Sequence, residues 1–528
     1  MTKDGRSKRL AVAGLLVAGA LAAAAGPAEA EELRRMATPQ LIEEARASGA
    51  IDDDTAALYL AYALRAPDRL PEAYRSDVPW RGTLPLRSLR QRAETMKQSP
   101  ARAAVQSLLA GTCSDASGTL PSVLDTTNFH IQYGTVGGGL TASDYGTSLE
   151  TTWGTEVTGF GWAAPPVLAS NPPPGNRYHV RIESLGGGLY GYVDVNGDHA
   201  GFVGNSPNTP WDDLDAYASC MVLNDDYSGF PGTPQTALDA TTAHEFNHSI
   251  QFGYGALTGS GRADDVFVEG GASWVEDEVF DSSNDNYGYL WPNFTQCLGQ
   301  YTASPYNYWI VFRALTERYG ANTPGGGEQV MQDFWEETSK RTTQNLVALN
   351  TALVNKGTNL ADAFHAAAIT SKLNRPCGGG YVYPYCFEEA AGYAAAAGSP
   401  AWTRTISTVG SSATATTPDN YASAFVRLPT TGGSFSVTLA NTDAAGGELR
   451  ASVVCDTGTA LSITPFPAVV GPSGSSTLNP VDPTGCTTLG LILTNQSQTG
   501  ANPSSCTARA WTVTTGVVPV ELQLFTAE

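Results

Sequence analysis

The residues best suited to chemistry are His244, Glu245 and His248, in the string Thr241-Thr242-Ala243-His244-Glu245-Phe246-Asn247-His248-Ser249-Ile250-Gln251-Phe252. On a helix this spacing puts both imidazoles on one face, one turn apart, where they reach one metal ion. Glu245 stands beside them, placed to take a proton from a water that the ion activates. The chain has only six histidines, so a chance match is the weaker account. The plainer alternative is an amphipathic helix with two satisfied histidines. Asp239 is a fair N-cap for this helix and Gly253 a fair stop.

A catalytic zinc takes three protein ligands and keeps one position open for water. Residues Val266 to Phe280 read as a second helix, started by Asp264 or Asp265. Glu269 is the best third ligand in it. It follows His248 by about twenty residues, room for a loop and a return to a neighbouring helix.

His244-Glu245-Phe246-Asn247-His248 followed by Glu269-Gly270-Gly271-Ala272 resembles the gluzincin metallopeptidases. The strings Ala243 to Phe246 with Gln251-Phe252, and Trp274 to Val279, are similar to those of a group of secreted bacterial proteins regarded as metallopeptidases. The resemblance runs over roughly Asn128 to Tyr319. It implies a zincin catalytic domain, in which a sheet lies beside the metal-binding helix and an edge strand grips peptide by strand addition. It implies zinc held by His244, His248 and Glu269, Glu245 as general base, and a tyrosine donor to the oxyanion. Tyr306 is chosen for that donor, as the residue that opens the helix Tyr306 to Gly320; Tyr308 is second. There is one departure. Related enzymes carry an aspartate four residues after the ligand glutamate, where it orients a zinc-bound histidine. Ser273 stands there in this chain. Glu276 or Asp277 must then orient His244, unless Glu276, Asp277 and Glu278 are simply a solvated acidic face.

Residues 1–30 read as a secretory signal peptide. Lys3, Arg6, Lys8 and Arg9 lead an Ala-rich apolar run, and Ala28-Glu29-Ala30 offers a cleavage site. The expected location is extracellular or periplasmic, with no membrane span. Eight cysteines fit that compartment. Cys377 and Cys386 are near enough for a local bridge, and Cys220 with Cys297 could staple the two metal-binding helices. Residues 31–111 read as helical, with 11 acidic against 12 basic residues. This stretch is either a removable propeptide that keeps a zymogen inactive or a helical N-terminal subdomain. From Thr112 onward the chain is strongly acidic and accounts for the net charge of −21. Such a surface argues against nucleic acid as a partner.

Residues 112–400 are expected to hold the catalytic domain, with a mixed sheet lobe and then a helical lobe. Strand candidates include Asn128 to Tyr133, Tyr178 to Ile182 and Ala216 to Leu223, rich in β-branched and aromatic residues. Asp194, Asn196 and Asp198 open like a calcium loop, but Asn205 stands where a bidentate glutamate belongs. The choice there is an irregular Ca2+ site or a plain Asn-Gly turn. His365 reads as structural. Residues 401–528, rich in Thr, Ser, Gly and Val with short alternating runs, read as a β-sandwich accessory domain. The fold class expected is α+β. The expected activity is hydrolysis of peptide bonds in a protein or peptide substrate, by a secreted zinc enzyme and more by endo- than exo-cleavage. The alternative is a secreted binding or adhesion protein whose zinc lobe is structural or inactive.

Overall fold

The computed structural model describes residues 36–115, 118–257, 263–298, 304–340, 345–498 and 506–518. The signal-peptide reading and the end of the Val517 to Leu522 strand lie outside them. The chain divides into two compact units, Met1–Gly261 with Val275–Asp285, and Arg262–Trp274 with Asn286–Glu528.

Among the described residues the first unit opens with four α-helices, α1 (Thr38–Ala47), α2 (Asp53–Arg65), α3 (Thr83–Thr95) and α4 (Pro100–Leu109). Asp52 caps α2 by accepting from Thr55 N at 2.8 Å, and Ser99 caps α4. Pro85 sits in the first turn of α3, where a missing N–H costs little. A mixed sheet follows, built from β1 (Ser122–Asp125), β2 (Phe129–Tyr133), β3 (Tyr178–Glu183), β4 (Gly191–Asp194) and β7 (Cys220–Asn224). The order is β1-β2-β3-β7-β4. β2, β3 and β7 run parallel, while β1 and β4 are antiparallel edges. A helix, α5 (Ala142–Trp153), joins β2 to β3 and continues as a π-helix over Gly154–Gly159. β5 (Gly201–Gly204) and β6 (Ala216–Ala218) form a separate pair.

Leu60, Leu64, Leu86, Leu89 and Val105 from the leading helices share one apolar core with Tyr192 and Val222 of the sheet and with Leu189, which precedes β4. Every strand residue of β7 is buried, as expected of a strand covered on both faces. The metal-motif helix, α6 (Pro234–Gly253), lies against this sheet and ends at Gly253 as expected. Its cap is Thr233, not Asp239. Pro234 fills the first helical position, and the Thr233 side chain accepts from Thr236 N. At Gly191 an added Cβ would meet Val222 O at 2.7 Å and Thr241 Cγ2 at 3.4 Å. That absent side chain lets β4 sit close to both β7 and α6.

Helix α7 (Asp265–Val279) runs unbroken. In the second unit come α8 (Trp309–Thr316), α9 (Glu328–Ser339), α10 (Asn345–Asn355), α11 (Leu360–Leu373) and α12 (Ala390–Ala397). Gly320, at φ 75°, ends the segment that contains α8. Two sheets follow. The first takes β8 (Arg404–Thr405), β10 (Ala422–Arg427), β12 (Leu449–Asp456), β13 (Leu461–Pro465) and β15 (Thr488–Asn495). The second takes β9 (Ser412–Pro418), β11 (Phe435–Asn441), β14 (Ser475–Val481) and β16 (Ala508–Val517). Val426, Val453 and Leu491 of one share a core with Leu439, Val513 and Trp511 of the other. β11 alternates buried and half-buried along its length, as a strand with one covered face does. His365 is structural: its ring nitrogens meet Thr494 Oγ1 at 3.0 Å and Ser452 Oγ at 2.9 Å. The chain is thus a mixed α and β protein, in keeping with the α+β expectation.

The disulfides are Cys113–Cys220, Cys297–Cys506, Cys377–Cys386 and Cys455–Cys486. The local pair is as expected. The expected Cys220–Cys297 staple is not formed, because Cys220 on β7 faces the chain that leaves α4. Four bridges fit an exported chain, and no described helix is long and apolar enough to cross a membrane.

Gly191→Ala should destabilise the first unit by about 1–3 kcal/mol, since a backbone carbonyl cannot yield as a side chain would. Urea midpoints of the two proteins check this; equal midpoints would refute the close-approach account.

Candidate metal centre

His244, Glu245 and His248 on α6, and Glu269 on α7, are all fully buried. Buried polar side chains need partners, and these partners define the site. His244 Nδ1 lies 2.8 Å from Glu276 Oε1. Of Glu276 and Asp277, it is therefore Glu276 that orients this ring. Glu276, Asp277 and Glu278 are at most 5% exposed, so they are not a solvated face. Arg81 Nη2 stands 2.8 Å from the same Glu276 oxygen and 2.9 Å from Asp285 Oδ2. Burial pushes the Glu276 carboxyl well above the usual carboxylate range; Arg81 opposes this, and Asp285, Asp277 and Glu245 add to it.

His248 is held by a chain of amides. Its Nδ1 lies 2.9 Å from Gln251 Oε1, Gln251 Nε2 donates to Asn247 Oδ1 at 2.8 Å, and Asn247 Nδ2 donates to Glu156 Oε2 at 3.0 Å. Glu156 sits on the π-helix, fully buried. Burial pushes its carboxyl up to about 8, against the opposing Asn247 contact.

Both rings thus offer Nδ1–H to an acceptor and turn Nε2 inward. The two Nε2 atoms are 3.1 Å apart. Two lone pairs meeting at that distance repel unless a cation lies between them. The ligand atoms of His244, His248 and Glu269 all fall within 4.8 Å of one another. Two imidazoles and a carboxylate, so converged, fit a divalent transition metal. Among the described residues this is the one group of three or more such side chains placed to hold an ion.

Glu269 owes its position to the helix around it. Gly270 has no room for a Cβ, which would meet Phe312 Cε2 at 2.8 Å, and Gly271 faces Trp335 at 3.4 Å. The two glycines let this turn of α7 pack tightly against aromatic neighbours. Glu276 lies two turns further along the same helix.

Glu245 Oε2 accepts a hydrogen bond from Thr83 Oγ1 at 2.6 Å, and Thr83 Oγ1 accepts from Val193 N at 2.8 Å. Arg81, Thr83, Gln251 and Glu156 were not identified from sequence. Gln251 was the readable one, three residues past His248 on the same helix face; the others arrive through tertiary structure. Tyr306 lies in the 3-10 turn Pro305–Tyr308, tilted against Tyr289 with ring centroids 5.1 Å apart. Tyr308 is buried, its hydroxyl reaching Cys297 O at 3.4 Å.

The loop of Asp194, Asn196 and Asp198, read as either an irregular Ca2+ site or a plain Asn-Gly turn, forms a turn. The Asp194 carboxylate already accepts from Arg90 Nε at 2.9 Å and from Thr112 Oγ1. Asn196 O accepts from Cys113 N at 2.8 Å. Of the would-be ligand side chains Asp194 is thus engaged, and Gly197, at φ 130°, makes the turn.

No protein-family model, curated protein or solved structure matches this chain.

Two expectations follow from the supporting contacts. Glu276→Gln should weaken Co2+ binding by about 10- to 100-fold, read by chelator competition, because it removes the charged acceptor behind His244. Unchanged affinity would show that Glu276 does not tune the ligand. Glu156, whose folded-state pKa is raised, contributes stability that is complete below its unfolded value, near 4.5, and is lost as pH rises through about 8. Glu156→Gln does not titrate, so its stability relative to wild type should grow by roughly 1.4 kcal/mol per pH unit across that window. Urea midpoints at several pH values test this, and parallel curves would refute it.

Proposed function

We propose that this chain is a secreted metal-dependent peptidase, with zinc as the resident ion, that hydrolyses peptide bonds in a protein or peptide substrate. The observation that carries the reading is the convergence of His244, His248 and Glu269 around inward-turned Nε2 atoms, with Glu245 next to the first histidine. The likeness to gluzincins in the motif strings supports it. When bound, the ion supplies Lewis acidity toward a carbonyl and makes a water easier to deprotonate. Glu245 takes the proton from the attacking water and passes it to the leaving amine, so the carboxylate is restored at the end of the cycle. Tyr306 is assigned as donor to the oxyanion. Glu276 and Gln251 hold the two imidazoles in the tautomer that directs Nε2 inward.

A second reading has one observation in its favour. All four site side chains are fully buried and Glu245 Oε2 already accepts from Thr83, which suits an inactive lobe in a secreted binding protein. Hydrolysis separates the two. Glu245→Gln should keep one metal per chain and lose at least about 100-fold in turnover of a quenched peptide library. His248→Ala should lose the metal as well. Metal in the wild type with no hydrolysis of casein or the library would favour the binding protein, and undiminished turnover by Glu245→Gln would remove Glu245 as the base.

A further inference from the structure

The stretch Trp80 to Thr83 precedes and opens α3, within the segment that sequence reading left as either a removable propeptide or a subdomain. It enters the metal centre directly. Trp80 N donates to Gly188 O at 2.9 Å, Tyr190 N donates to Trp80 O at 3.0 Å, and Gly82 N donates to Gly191 O at 2.9 Å. The segment therefore runs along the outer edge of β4. Gly82 permits the fit, because an added Cβ would lie 2.8 Å from Gly191 O and 2.9 Å from Tyr192 Cβ. This brings Arg81 to Glu276 and Asp285, and Thr83 to Glu245.

We propose that the helical segment Thr38–Leu109 is a permanent part of the metal centre, with Arg81 and Thr83 as its positioning residues. The inference rests on the metal-binding part of the function proposed above.

Charge is the first argument. Arg81 is 2% exposed, and the carboxylates it meets are buried with it. Tyr190 completes the enclosure: its ring lies 4.9 Å from the Arg81 guanidinium and its hydroxyl donates to Asp285 Oδ1 at 2.9 Å. Taking the segment away would strand Glu276 and Asp285 in the interior without this cation, and Glu276 is the group that orients His244. A detachable inhibitor leaves a finished site behind; removing this segment would leave an unfinished one. The shared core is the second argument. Leu60, Leu64, Leu86 and Leu89 are packed into the same cluster as Leu189, Tyr192 and Val222, and Arg65 reaches Tyr192 Oη at 2.5 Å. The anchoring is spread over α2, α3 and the segment between them.

The test uses the full chain secreted from an exporting host. Denaturing intact mass of the metal-bearing fraction should show residues 38–109 present, whole or as a nicked piece that copurifies. Co2+ affinity is then measured for Arg81→Met, Arg81→Lys and the double variant Arg81→Met/Glu276→Gln. Arg81→Met should lose about 10- to 100-fold in affinity, Arg81→Lys should recover part of it, and the double variant should bind no more weakly than Glu276→Gln alone. That last result separates an effect through Glu276 from general damage to the fold. Metal-loaded, hydrolytically active protein lacking residues 38–109 would overturn the proposal, as would wild-type Co2+ affinity in Arg81→Met. Normal Co2+ binding without hydrolysis would sink the peptidase reading and leave this one standing. A wild-type chain that takes no Co2+ would end both.

Discussion

The constraint on which the rest of the first unit depends is negative charge in a place without water. Glu245, Glu276, Asp277 and Glu278 are all nearly or wholly inaccessible, and Asp285 lies beside them. An isolated buried carboxylate is costly, and breaking a buried ion pair by removing one partner typically costs about 3–5 kcal/mol. The structure answers with Arg81, with neutral donors such as Thr83, and with two imidazoles and Glu269 placed so that they could hold a cation. A buried ion pair is poor evidence of net stability. Here its use is positional, since the carboxylate that Arg81 balances is the one that fixes the His244 ring.

The two histidines are supported in different ways. His244 leans on a charged pair, Glu276 with Arg81. His248 leans on a neutral relay, in which each amide of Gln251 and Asn247 accepts at its oxygen and donates from its nitrogen. The relay ends at Glu156, which burial favours in its neutral form. A charged acceptor raises the basicity of an imidazole more than an amide does. The two histidines are therefore unequal as candidate ligands, although the motif writes them with the same letter.

Much of this was legible in the sequence, for reasons specific to each element. His244, Glu245 and His248 could be read because helical periodicity alone brings them together. Glu269 could be read because a loop and a second helix fit the spacing, and its two following glycines mark tight packing. The strand read at Tyr178 to Ile182 announced itself by composition, whereas the one read at Ala216 to Leu223 is two, β6 and β7, in separate sheets. The cap of α6 was misjudged because Asp239 and Thr233 both satisfy the local rule, and Pro234, which fixes the start, was passed over. Arg81 was not legible because its partners, Glu276 and Asp285, lie about two hundred positions away, while the acidic residue close to it in sequence is Asp77. Of the cysteine pairs only the local Cys377–Cys386 bridge was legible; the long-range ones were not, since the spacing of eight cysteines does not fix which of them meet.

The hydrogen bonds that Trp80 and Gly82 make along β4 have a consequence for solubility during folding. A sheet whose outermost strand is bare offers its amides and carbonyls to any other chain, and so invites edge-to-edge aggregation. Gly191 O is occupied by Gly82 N and Val193 N by Thr83 Oγ1, so this border is closed by the chain's own leading residues. Those residues leave the ribosome long before β4 does. They are already synthesised when the vulnerable border appears.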